Sequence, residues 1–116
     1  MRKHPIGIAA AVALLGQQSM ASAQGSANNV MVGCRSDLSQ HDDKNQVYLS
    51  AMCTGIIRTM FYFGSRLGFC IPDGTNAGQA IRVVVLYIDQ RPARMHERFE
   101  DLALEAMQKA WPCRRQ

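Results

Sequence analysis

Four cysteines are the sequence feature that most limits how this 116-residue chain can fold. Cys34, Cys53, Cys70 and Cys113 all follow an N-terminal segment with the pattern of an export signal. An even number of cysteines in a small exported domain is typical of a disulfide framework. None belongs to a Cys-x-x-Cys pair, which argues against a thioredoxin-like redox site and against a zinc ribbon. Because a chain of this length buries only a small core, we expect disulfides to supply much of its stability.

Residues 1–23 are predicted to be a secretory signal peptide. Arg2 and Lys3 give it a basic start, residues 6–15 are mostly apolar, and Ala21-Ser22-Ala23 has the small residues of a cleavage site. The apolar run is shorter than the ~20 residues that a membrane helix needs. We therefore expect a mature chain that starts at Gln24, is periplasmic and has no membrane association. An uncleaved membrane anchor is the alternative.

The charge pattern argues against a nucleic-acid partner. Removing Arg2 and Lys3 leaves 11 basic against 9 acidic residues, so the formal net charge falls from +4 to +2. Basic residues do cluster at Arg91, Arg94 and Arg98, but acidic residues at 97, 100 and 101 are interleaved with them. A phosphate-binding face would carry one sign of charge, so the cluster is interpreted as a solvated helix face.

The cysteine pairing can be predicted from the positions of turn signals, although four cysteines allow three pairings. Cys34 and Cys53 are centred on the polar stretch 39–44, and Cys70 and Cys113 on Arg91-Pro92. Residues equidistant from the tip of an antiparallel hairpin lie close together. We therefore predict the disulfides Cys34–Cys53 and Cys70–Cys113, worth about 3 and about 4 kcal/mol by the loop-entropy model. The pairing Cys53–Cys70 would be centred inside an apolar helical pattern, where no turn is indicated.

The periodicity predicts an all-α fold, a small disulfide-bonded bundle of three to four helices. Apolar residues at three- and four-residue spacing indicate one helix over 45–64. Asn76 and Gln79 have the spacing of a capping box before 81–88, a β-branched segment for which a buried strand is the alternative. Pro92 is expected to open the last helix, which ends at Pro112. The domain is predicted to span 34–113, after a flexible leader over 24–33.

Three apolar faces are expected to form the core. Their members are the following: Tyr48, Met52, Ile56, Met60 and Phe63; Ile81, Val84, Val85 and Ile88; Met95, Phe99, Leu102, Ala103, Ala106, Met107, Ala110 and Trp111. The trio Phe61-Tyr62-Phe63 is expected to pack entirely under neighbouring helices. The alternative is that one ring points outward as an anchor for a partner.

The sequence offers no catalytic constellation, no metal site and no cofactor motif. His96 and Glu100 share a helix face, but a third ligand is not indicated and the zinc motif His-Glu-x-x-His is incomplete. His41-Asp42-Asp43 is better explained as turn and cap chemistry than as an acid and base pair. The glycine spacing fits neither the dinucleotide-binding motif nor the P-loop. We therefore expect no enzymatic activity.

Several motifs resemble one known family. They are Cys53-Thr54-Gly55-Ile56-Ile57, Phe69-Cys70-Ile71-Pro72, Val83-Val84-Val85-Leu86-Tyr87-Ile88 and Ala110-Trp111-Pro112-Cys113. In this order and spacing the chain resembles the Rap/Tai family of type VI secretion amidase immunity proteins, the group that contains the Rap1a and Tai domains. The resemblance covers roughly residues 34–113.

The resemblance implies a helical, disulfide-bonded periplasmic protein that binds a cell-wall amidase effector and occludes its cleft. Two alternatives are a general periplasmic binding or cell-envelope structural protein of the same fold and a small hydrolase. The oligomeric state stays open, with a homodimer among the alternatives.

Two loops are candidates for the binding surface, because loops on a rigid scaffold are common recognition elements. One spans residues 65–76 and contains Arg66, Asp73 and Asn76; the other spans residues 90–94 and contains Arg91 and Arg94.

Overall fold

A computed structural model describes residues 25–39 and 44–114, which fold into four α-helices without a β-strand. The helices are α1 (Ala27–Ser39), α2 (Val47–Phe63), α3 (Ala77–Asp89) and α4 (Phe99–Ala110). Short 3-10 turns, Lys44–Gln46, Gly64–Leu67 and Pro92–Arg94, lie in the connections. The predicted all-α class is confirmed. The predicted signal peptide and its cleavage site lie outside the described residues.

Two disulfides join distant parts of this bundle, in the pairing that the turn positions predict. Cys34 in α1 is bonded to Cys53 in α2, with their Cα atoms 5.3 Å apart, and both residues are completely buried. Cys70, in the loop after α2, is bonded to Cys113 after α4, with their Cα atoms 4.8 Å apart. Cys70 is exposed and Cys113 is half-buried. One disulfide therefore lies in the core and the other at the surface.

Helix α1 begins earlier than expected, so the predicted flexible leader over 24–33 is wrong from residue 27 onward. Ala27, Val30, Met31 and Cys34 are completely buried and recur at three- and four-residue spacing. That spacing places them on one face of a helix. Burial of this face holds α1 in the core, and the same spacing is visible in the sequence.

The start of α1 also explains why the last helix does not begin at Pro92. The backbone N–H of Ala27 donates to the carbonyl of Glu97 at 2.9 Å, and that of Asn28 donates to the carbonyl of Met95 at 2.8 Å. The first N–H groups of a helix have no partner within the helix, and here the segment before α4 supplies the acceptors. Pro92 therefore opens only a 3-10 turn, and α4 starts at Phe99.

Helix α2 buries a different face from the predicted one. Cys53 and Ile57 are completely buried, whereas Tyr48 is 67% exposed and Phe63 is 38% exposed. The other members of the predicted face, Met52, Ile56 and Met60, are partly buried. The bond to Cys34 requires Cys53 to point at α1, which turns Tyr48 toward solvent.

Helices α3 and α4 follow the predictions more closely. The side-chain oxygen of Asn76 accepts a hydrogen bond from the backbone N–H of Gln79 at 2.8 Å, so the predicted cap is present and 81–88 is helical rather than a strand. The buried residues of these helices are Ala80, Ile81, Val84, Tyr87 and Ile88 in α3 and Phe99, Leu102, Ala103, Ala106 and Met107 in α4. Val85 and Trp111 are half-buried at the edge, and Ala110 is exposed.

Candidate functional site

The connection between α2 and α3 is a surface loop that is tied to the end of α4. Gly68 ends its 3-10 turn with φ +83°, a left-handed conformation that favours glycine. Phe69 then inserts into the core, and the backbone N–H of Cys70 donates to the carbonyl of Trp111 at 2.8 Å. The carboxamide nitrogen of Gln108 donates to the carbonyl of Leu67 at 2.8 Å. Together with the disulfide, these contacts hold the loop against α4.

The predicted binding residues in this loop have different environments. Arg66 is exposed on the 3-10 turn, and Asp73 is exposed in a tight turn closed by the N–H of Thr75 and the carbonyl of Pro72. Asn76 is exposed as well, but its side chain already accepts the capping hydrogen bond of α3. Arg66 and Asp73 therefore have more freedom to meet a partner than Asn76.

The two predicted arginines of the α3–α4 connection are engaged within the chain. The guanidinium of Arg91 lies 3.6 Å from the centre of the Tyr87 ring and donates to the Tyr87 carbonyl at 2.8 Å. Arg94 bonds the carboxylate of Glu97 at 2.7 Å and that of Glu105 at 2.8 Å. Both arginines thus fix the connection to the helices that flank it.

Glu105 is the centre of this charge network. It accepts hydrogen bonds from the Arg94 guanidinium and from the Tyr87 hydroxyl, the latter at 2.8 Å. These bonds favour the ionised carboxylate and lower its pKa to about 2, with the Arg94 bond the larger cause. The same contacts with Glu105 and Glu97 raise the pKa of Arg94. The network joins α3, α4 and their connection. Arg94 therefore stabilises the packing of these segments.

Exposed aromatic rings mark the outer side of α2. Tyr62 is 84% exposed and meets the ring of Phe63 edge to face, with ring centres 5.0 Å apart. Only Phe61 of the trio is part of the core boundary. The prediction that all three rings pack inward is wrong, because consecutive helical residues point in directions about 100° apart. We call Tyr48, Tyr62 and Phe63 the α2 aromatic face.

A concave surface that the sequence reasoning missed lies beside the C-terminal half of α4. It consists of two shallow grooves that share Ala110, with volumes of about 570 Å³ and about 340 Å³. The larger groove is lined by Cys70, Pro72, Trp111, Pro112 and Arg114, and the smaller by Val83, Leu86, Tyr87, Gln90 and Lys109. We call the pair the C-terminal groove. Leu86 could have indicated it, because the unbroken apolar run 83–88 is too wide for one buried helix face.

The described residues contain no cluster of three or more His, Cys, Asp or Glu side chains suited to a metal ion. His96 is exposed, and the stretch His41-Asp42-Asp43 lies outside the described residues. The third arginine of the basic cluster, Arg98, faces Glu100 at 3.8 Å. None of the described helices has the length and hydropathy of a bilayer-spanning segment.

One protein family matches this sequence over most of its length. A model of the Rap1a immunity proteins matches residues 22–113, which include all four helices, both disulfides and every residue that lines the C-terminal groove except Arg114. Comparisons with curated proteins and with solved structures give no match. The family match starts at the residues that precede α1, in agreement with the early start of that helix. Since it covers most of the sequence and the whole helical bundle, the chain belongs to the Rap1a immunity protein family.

Proposed function

We propose that this chain is a periplasmic immunity protein that binds a type VI secretion peptidoglycan amidase and blocks its substrate cleft. The observation that carries the proposal is the family match over residues 22–113. An immunity protein acts by binding, and it needs no catalytic or metal-binding residues of its own. In this role the chain is not an enzyme.

The cysteine chemistry supports an oxidising compartment. All four cysteines are in disulfides, and one of these lies wholly inside the bundle. Disulfides persist in the bacterial periplasm and are rare in the cytosol. Together with the export pattern of residues 1–23, this favours release of the mature chain into the periplasm after cleavage at Ala23.

The rigidity of the surface supports inhibition by occlusion. A segment that plugs a cleft binds more tightly when it is ordered before it meets the enzyme, because ordering costs free energy. The loop after α2 is held by Cys70–Cys113, by the Gln108 hydrogen bond and by the buried ring of Phe69. The bundle therefore presents its loops in a fixed geometry.

The test is an amidase assay with the exported protein. The full-length chain is expressed with its own N-terminus and recovered from the periplasm, where mass spectrometry reports whether residues 1–23 have been removed. A peptidoglycan amidase that the protein captures from periplasmic extract is then assayed on purified sacculi with increasing amounts of the protein. We expect loss of activity at an equimolar ratio and a stable complex in gel filtration.

Two controls make the result decisive. The reduced and alkylated chain should not inhibit, and an unrelated peptidoglycan hydrolase should keep its activity. Full amidase activity in the presence of excess folded protein would contradict the proposal. It would favour the general cell-envelope role instead.

A further inference from the structure

The C-terminal groove combines an apolar floor with an exposed aliphatic side chain. Leu86 is 62% exposed on α3, and Val83 one turn earlier is half-buried beside it. Pro72 and Pro112 are exposed on the other side of Ala110. Isolated exposed apolar residues are common on proteins, but a concave group of them is typical of an interaction site.

The charged side chains that line the groove have one sign. Lys109 lines the smaller groove and Arg114 the larger one, and neither lining set contains a carboxylate. The ammonium of Lys109 lies 5.4 Å from the centre of the Tyr87 ring, and the guanidinium of Arg91 lies 3.6 Å from the same centre. Two cationic side chains therefore line the groove, and Arg91 adds a third positive charge at the Tyr87 ring.

The neighbouring carboxylates reduce this positive charge but do not reverse it. Glu105 is bonded to the Tyr87 hydroxyl and shares Arg94 with Glu97, so two carboxylates meet one guanidinium, whereas Asp89 is bonded to Arg35 of α1. Asp73 is exposed in the turn that follows Pro72, a residue that lines the larger groove. Asp73 and the one carboxylate that Arg94 leaves unbalanced make two negative charges, against the three positive charges of Lys109, Arg91 and Arg114.

We infer that the C-terminal groove receives the amidase, and that the docking segment of the enzyme carries an apolar side chain flanked by carboxylates. This inference rests on the proposed function and adds to it the surface and the chemistry of the contact. Burial of the apolar side chain against Leu86 supplies affinity, and pairing of carboxylates with the cationic rim supplies orientation and a faster encounter. A stable interface buries about 800 Å² on each partner, so the contact extends beyond the groove, which forms its centre.

The inference is tested with the amidase used in the inhibition assay, in an inactive form. Leu86→Glu places a negative charge on the floor, and Lys109→Glu reverses the rim. We expect Leu86→Glu to raise the dissociation constant at least about 100-fold and Lys109→Glu to raise it about 10-fold. The dissociation constant of Lys109→Arg should stay within about threefold of the wild-type value. Circular dichroism and the melting temperature verify that each variant is folded; Leu86 is mostly exposed, so its replacement leaves the core intact.

The control is the equivalent change on another exposed surface. Tyr62→Glu puts the same charge on the α2 aromatic face, where the side chain is 84% exposed. We expect it to bind the amidase as the wild type does. Raising the NaCl concentration from about 50 to about 500 mM should weaken the wild type more than Lys109→Glu, because salt screens the rim contacts.

The outcomes separate the two proposals. If no amidase binds the wild type, the proposed function and this inference both fail. If the amidase binds all groove variants equally well, or only Tyr62→Glu loses binding, the inference fails and the proposed function stands. Two further results would also overturn it: a concentration-dependent dimer that Leu86→Glu dissociates, or groove-dependent cosedimentation with phosphatidylglycerol vesicles without effect on the amidase.

Discussion

The close packing of α1 on α2 at Gly33 predicts a large loss of stability for the substitution Gly33→Ala. A Cβ atom added there would lie closer than 3.0 Å to the backbone of Leu49 and Ser50 in α2. Ordinary contacts of a Cβ begin near 3.4 Å, so Gly33→Ala requires the two helix backbones to separate by at least 0.4 Å, the difference between these distances. Backbone atoms cannot rotate aside as the tip of a side chain does.

The surroundings of Gly33 resist this separation. The next residue, Cys34, is bonded to Cys53, with Cα atoms 5.3 Å apart. The hydroxyls of Ser50 and Thr54 in α2 donate to the carboxylate of Asp37 in α1. Overpacking of a tight core costs about 1–3 kcal/mol, and the rigid neighbours here place Gly33→Ala at the upper end, about 3 kcal/mol. That is a large part of the ~5–15 kcal/mol stability of a small domain.

The assay is urea unfolding of the oxidised protein, followed by circular dichroism at 222 nm, with Gly55→Ala as the matched control. Gly55 is exposed in the middle of α2, and no atom outside the helix backbone lies within 4 Å of a Cβ added there. Alanine is favoured over glycine in a helix by about 1 kcal/mol, so Gly55→Ala should be more stable than the wild type. A Gly33→Ala variant as stable as the wild type would refute the close approach of α1 and α2.

Three further predictions concern the surface disulfide, the charge network and the cap of α3. Mild reduction should open Cys70–Cys113 first, because Cys70 is exposed while both cysteines of the core disulfide are buried. Alkylation followed by peptide mass mapping detects the order of opening. Simultaneous labelling of all four cysteines would contradict the prediction. Glu105 has its pKa lowered to about 2, so its contribution to folding is present above pH ~4.5 and is lost as the pH falls toward 2. Glu105→Gln should therefore flatten the rise of stability with pH between about 2 and 4.5 in acid unfolding curves, and an unchanged slope would show that the Arg94 contact does not matter. Asn76→Ala should cost about 1 kcal/mol in urea unfolding, whereas Asn76→Asp retains the cap; equal losses in both variants would argue against the hydrogen bond to Gln79.

The elements that the sequence predicts well are those decided by local chemistry. The cap of α3 depends on two residues three positions apart, Asn76 and Gln79, and it formed as predicted. The all-α class follows from apolar spacing within single segments. The disulfide pairing also depended on local signals, since the turns that set it lie between the paired cysteines.

The errors arose where distant parts of the chain decide the structure. The segment before α4 is not helical because its carbonyls accept the first N–H groups of α1, a contact across about 70 residues. The bond between Cys53 and Cys34 sets which face of α2 is buried. Tyr48 is therefore exposed, although periodicity alone predicts it to be in the core. The C-terminal groove brings Leu86 next to Ala110, and no local pattern encodes that proximity.

The two disulfides differ in what they stabilise, and the difference bears on function. Cys34–Cys53 crosses the core, and its loss would weaken the packing of α1 on α2 throughout the bundle. Cys70–Cys113 joins the loop after α2 to the chain beyond α4, and Cys70 itself lines the C-terminal groove. In the proposed complex, this crosslink reduces the conformational freedom that binding would otherwise remove, so it should favour affinity beyond its effect on folding. The surface disulfide therefore fixes the border of the C-terminal groove, whereas the core disulfide maintains the bundle that carries it.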